Sequence, residues 1–128
     1  MRYREGDVLG AFVVVLLLGL VVAWIVRLIH RASRKRLKPG ESVPPPLPGG
    51  LVFGLLECVF YFFVLALEGA ALLAGAWLAF KLATRWQSAQ WAKPTELEVR
   101  IGYRAFQVGT LGNLLVGVIG AAILRLTK

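Results

Sequence analysis

The sequence predicts an all-α integral membrane protein with four transmembrane helices, and three observations carry that expectation. Of its 128 residues 58% are hydrophobic and only 17% charged; the apolar residues run in stretches of bilayer length; and the basic residues gather at the ends of those stretches. A water-soluble core of this size could not hide so much apolar surface, so lipid must solvate much of it, within a single membrane domain spanning 1–128. The net charge of +8 fits anionic headgroups and membrane orientation, and no nucleic-acid partner is expected. Cys58 is the only cysteine and sits in an apolar run, so there is no disulfide framework or paired metal ligand to read, and it is expected to act as a small buried hydrophobe.

The first transmembrane helix is expected over 8–29, uncharged until Arg27 and long enough for roughly 30 Å of hydrocarbon. Glu5 and Asp7 stand just before it and no small-x-small cleavage site follows, so it reads as a retained helix rather than a signal peptide. A basic and proline-rich cytoplasmic loop follows over 30–50. There Arg31, Arg34, Lys35, Arg36 and Lys38 are placed to meet lipid headgroups at about 1 kcal/mol each, with His30 as an ordinary interfacial side chain. Pro44, Pro45 and Pro46 then favour a short stiff polyproline tether.

The segment 51–86 is apolar but contains Glu57 and Glu68. As one continuous kinked helix, the alternative fold, the stretch from Leu51 to Ala83 would rise about 50 Å and put Glu68 near mid-membrane, at a cost of about 2.5–3.5 kcal/mol. A tight hairpin at Glu68-Gly69 avoids this, because glycine supplies the turn and the acid reaches the far interface. Basic residues separate the two arrangements. A single crossing divides Lys and Arg eight against seven, which is no bias, whereas the hairpin puts eleven of the fifteen on one side, a normal cytoplasmic excess. Both termini then lie outside.

An interfacial linker and helix start are expected over 87–104. Trp86 and Trp91 flank it as headgroup-belt anchors, and Thr95 with Glu98 forms a capping box. The last transmembrane helix covers 105–126. Small residues at four-residue spacing form one stripe of Ala71, Gly75, Ala79 and Ala83 and another of Ala105, Gly109, Asn113, Gly117 and Ala121. Such stripes let backbones approach closely in lipid, and the two are expected to pack against each other.

Candidate polar intramembrane residues are Glu57, Asn113 and Thr110. Glu57 lies deep enough for desolvation to matter, either binding a proton or cation or pairing with Lys81 or Arg85, which the hairpin brings back to its own side. Asn113 and Thr110 are expected to donate interhelical hydrogen bonds worth roughly 0.6–2 kcal/mol. No nucleophile stands beside a base and no phosphate loop follows a strand, so neither catalytic residues, cofactor nor metal is expected.

Glu57, Trp77-Leu-Ala-Phe-Lys81, Arg85-Trp86, Trp91 and Tyr103-x-x-Phe106-x-x-Gly109-Thr110 together resemble a group of small uncharacterised bacterial inner-membrane proteins, and are similar to the C-terminal membrane region of DUF3307-type proteins. The match covers roughly 57–120. Cys58 stands where that pattern usually has arginine, and Glu68-Gly69 replaces its Gly-Gln-Pro-Gly-like turn. The resemblance implies a bacterial inner-membrane location and a multi-pass helical architecture, and no reaction. The leading expectation is a non-enzymatic accessory or scaffold subunit that associates with anionic lipids and with another membrane protein or itself. The alternative is an oligomeric proton-coupled transporter or pore using Glu57 and Asn113.

Overall fold

The computed structural model describes residues 3–40, 50–67, 70–91 and 96–127. Among them every regular element is an α-helix: α1 (Glu5–Lys35), α2 (Gly50–Ala66), α3 (Ala71–Trp91) and α4 (Glu96–Leu126). The expected turn residues Glu68-Gly69, the Thr95 cap and the prolines 44–46 lie outside the described residues. One continuous middle helix is ruled out. The helix stops at Ala66, the Ala70 amide donates to the Leu67 carbonyl across the break at 3.4 Å, and a new helix begins at Ala71.

Helix ends follow local chemistry. Glu5 and Asp7 occupy the first turn of α1 and Arg34 and Lys35 its last, each favourable to the helix dipole. After it the chain leaves through Gly40 at φ +90°, a left-handed conformation that glycine adopts freely. Helix α3 runs on to Trp91, past the Trp86 at which its end was expected. Residues 87–90, Gln-Ser-Ala-Gln, contain no glycine or proline, and Pro94 is what disfavours helix for the residue before it.

Three helices form the core. Helix α1 runs antiparallel to α4, with Val26 near Gly109, Val22 near Gly112 and Val15 near Gly120. It also runs antiparallel to α2, since Phe12 meets the Phe63 ring at 6.3 Å and the Tyr3 hydroxyl donates to the Ala66 carbonyl. Helices α2 and α4 are therefore parallel, tied at one end by Arg125, which donates to the Leu65 carbonyl at 2.9 Å. Ala11, Val15, Cys58, Phe62, Val116 and Leu124 fill the space between them.

Glycines set the spacing of this core. A Cβ on Gly117 would collide with Tyr61 Cβ and the backbone at Phe62; one on Gly120 would collide with Val15 and come within 2.8 Å of Phe62. On the facing helix, a Cβ on Gly19 would sit 2.9 Å from Leu55 and 3.2 Å from Cys58 Sγ. Such close approach multiplies the small dispersion gains of individual contacts.

Helix α3 is different. It lies antiparallel to α2, but of its described side chains only Ala74 is buried. This corrects the expected pairing of stripes. Ala71, Gly75, Ala79 and Ala83 are all exposed and nothing lies within 4 Å of a Cβ built on Gly75, whereas Gly109, Gly117 and Ala121 face α1 and α2. The cause is rotational. Ala74, Trp77 and Lys81 recur at i, i+3 and i+7 and turn toward α2, which carries the small stripe round to the outside.

Two stretches, Glu5–Lys35 and Arg104–Leu126, are long and apolar enough to cross a membrane; Gly50–Ala66 and Ala71–Thr84 are shorter apolar helices. Of the most apolar window, 17% in the first and 39% in the second is buried within the fold. A helix in the core of a water-soluble protein would be mostly buried. Here Leu9, Leu17, Trp24, Leu72, Leu111 and Leu115 all point outward, apolar surface of the kind that meets lipid or a partner.

Candidate functional site: a carboxylate held by three helices

Glu57 lies two helical turns into α2 and is 4% exposed, although it is ionisable and surrounded by apolar residues. Its position follows from the glycine-tight packing just described. The adjoining Cys58 lies against Gly19 of α1. At about 1.5 Å per residue, Gly19 is about 12 Å from Arg27 and about 17 Å from Val8, so the acid sits deep along the apolar length of α1.

Its two oxygens are fully engaged. Lys81 Nζ, from α3, donates to Oε1 and to Oε2, each at 2.7 Å. Oε1 also accepts from Trp77 Nε1 at 3.2 Å and from the Tyr61 hydroxyl at 3.4 Å. Oε2 accepts from Asn113 Nδ2, on α4, at 2.9 Å. The Asn113 amide is oriented by chemistry, because an ionised carboxylate can only accept and must face the NH2 group. That leaves Asn113 Oδ1 to accept from Cys58 Sγ at 3.2 Å.

Local geometry explains the convergence. Glu57 and Tyr61 are four residues apart on α2, and Trp77 and Lys81 four apart on α3, so each pair shares one helix face. Gly54 stands one turn before Glu57 on the face that meets α4, where a Cβ would lie in ordinary contact with the Asn113 amide at 3.7 Å. The Lys81 ammonium is further flanked by the Phe106 ring at 5.3 Å and the Phe53 ring at 5.9 Å, within cation–π range.

The cluster is thus electrically neutral, hydrogen-bonded at every acceptor site of the carboxylate, and spread over α2, α3 and α4. Removing one partner of such a buried pair typically costs about 3–5 kcal/mol, because the other charge is stranded. The pair is not symmetric: the Glu57 side chain is 2% exposed and that of Lys81 17%, so any approach to the site is on the lysine side.

Of the candidate polar residues, Glu57 and Asn113 are brought together and Thr110 is not. Thr110 is buried, yet its hydroxyl has no hydrogen-bond partner among the described residues, which corrects the expected interhelical bond. Three residues before Asn113, it stands about 4.5 Å back along the axis and rotated by about 60°, off the line to the carboxylate. Trp77, Tyr61 and Cys58 belong to the cluster but were not singled out from sequence as partners of Glu57. The i, i+4 spacings from Glu57 and back from Lys81 would have found the first two. The basic residues Arg31, Arg34, Lys35, Arg36 and Lys38 are all exposed at the C-terminal end of α1.

Comparisons with protein-family models, with curated proteins and with solved structures return no match for this chain.

Proposed function

We propose that the chain is a small non-enzymatic protein of a bacterial inner membrane, crossing it four times with both termini outside, and that it serves as an accessory or scaffold subunit. One observation carries this reading: the buried carboxylate already has donors from three helices and a counter-charge at 2.7 Å. A group so completely satisfied holds helices together; a ligand-binding group keeps acceptor capacity in reserve. The outward stripe of α3 is then available to a helix of another membrane protein, and the exposed basic residues at the end of α1 to anionic lipid.

Purification in native lipid, with the mass of the assembly and the identity of its components, tests this. A hetero-complex of fixed stoichiometry that Gly75→Leu dissolves, with the stability of the chain unchanged, supports the reading. A pure homo-oligomer that carries proton-driven flux lost in Glu57→Gln overturns it in favour of a transporter, a reading supported by the buried Glu57–Asn113 contact and the partial exposure of Lys81.

A further inference from the structure

Helices α1 and α4 each contain a stretch able to cross a membrane unaided, while the apolar helices Gly50–Ala66 and Ala71–Thr84 are shorter. The first of these extends only about 26 Å, against about 30 Å of hydrocarbon, and α3 continues beyond Thr84 to Trp91 through a more polar stretch. Among the described side chains α2 and α3 each turn one acidic or basic residue inward, Glu57 and Lys81, and each is the other's counter-charge. Among the described residues no glycine-tight packing holds α3 to the core. Its inward residues are those around the polar cluster, Ala74, Trp77 and Lys81.

We propose that α2 and α3 form a conditional hairpin, which enters the membrane as one unit only when Glu57 and Lys81 pair, while α1 and α4 insert independently. The charge distribution makes the condition effective. With the hairpin inserted, eleven basic residues lie on the cytoplasmic side and four on the other. With it left on the cytoplasmic surface, the whole segment between α1 and α4 stays there and the division is again eleven to four. The positive-inside preference is therefore blind to the hairpin's state, and α1 and α4 keep their orientation in both. What remains to decide between the states is the free energy of the hairpin itself. An unpaired lysine or carboxylate in mid-span shifts the ratio of inserted to uninserted hairpin by roughly 70- to 400-fold. The inference rests on the membrane reading and is independent of the accessory role.

The test uses the full chain in intact cells and a membrane-impermeant maleimide applied from outside. Leu67→Cys, at the exposed α2–α3 junction, reports the hairpin, and Arg4→Cys, at the exposed start of α1, reports the scaffold. Leu67→Cys is expected to label in the otherwise unaltered chain, in the double variant Glu57→Leu with Lys81→Leu, and in the charge exchange Glu57→Lys with Lys81→Glu. In Glu57→Leu alone and in Lys81→Leu alone its labelling falls at least tenfold, with Arg4→Cys labelling unchanged. Undiminished labelling in the single leucine variants, or its loss in the double leucine variant, overturns the proposal. If Arg4→Cys does not label even in the unaltered chain, the proposed orientation fails instead, and inverted vesicles then read the hairpin from the opposite face by the same comparisons.

Discussion

Replacing Gly117 with alanine separates the packing found here from the one the small-residue spacing suggests. A Cβ at that position collides with Tyr61 Cβ and lies 3.0 Å from both the Tyr61 carbonyl carbon and the Phe62 nitrogen. Two of those three atoms are backbone, so no rotamer change relieves the contact and α2 must move away from α4. Overpacking of this kind costs typically 1–3 kcal/mol, against a gain of up to about 1 kcal/mol from alanine's helix propensity. The net expectation is a loss of about 1–2 kcal/mol, or roughly 5–10 °C in melting temperature for a domain of this size. Gly75→Ala is the matched control, because nothing lies within 4 Å of its Cβ, and its melting temperature should be unchanged or slightly higher. The assay is thermal unfolding in a mild detergent, followed by loss of the monodisperse chromatographic peak. A neutral Gly117→Ala together with a destabilised Gly75→Ala would show that the α3 stripe, not the glycine face of α4, carries the close packing, and would refute the argument.

Two further substitutions probe the polar groups. Thr110→Val keeps shape and removes a buried hydroxyl that has no partner among the described residues, so it should be neutral or stabilise by up to about 1 kcal/mol in the same assay; a loss above that size means the hydroxyl is bonded. Asn113→Ala removes the donor to Glu57 Oε2 and the acceptor for Cys58, and should cost about 1–2 kcal/mol. Because Asn113 also covers Cys58, the variant should raise the rate at which a small thiol reagent modifies that cysteine in detergent. An unchanged rate argues against the Cys58–Asn113 contact.

Much of the architecture was legible in the chain. The helices and their approximate ends follow from apolar run length, the dipole-matched charges of α1 and the punctuation near Pro39-Gly40 and Pro94. The preference for two middle helices over one came from counting basic residues, and the break after Ala66 agrees with it. Glu57 stood out because a carboxylate in an apolar run demands an explanation, and Lys81 could be named beforehand as a possible partner because a hairpin returns the chain to the same side. Gly19, Gly112 and Gly120 carry no such signal, because they fall outside a strict four-residue repeat, whereas the faces they serve mix three- and four-residue steps.

What the sequence determined by itself was whatever depends on residues close along the chain: helical runs, their polarity, the basic ends and the presence of an acid that could not remain alone. What the tertiary structure alone decided was rotation and partnership. Ala71, Gly75, Ala79 and Ala83 had the spacing for close packing, yet the two-point donation from Lys81 and the Trp77 bond to a carboxylate twenty residues earlier in the chain turned that stripe outward. A helix can present any of its faces at nearly equal local free energy, so contacts between residues distant in sequence choose among them. Here a buried ion pair, which costs about 3–5 kcal/mol to break because the remaining charge is stranded, outweighed the small gains that a stripe of alanines offers.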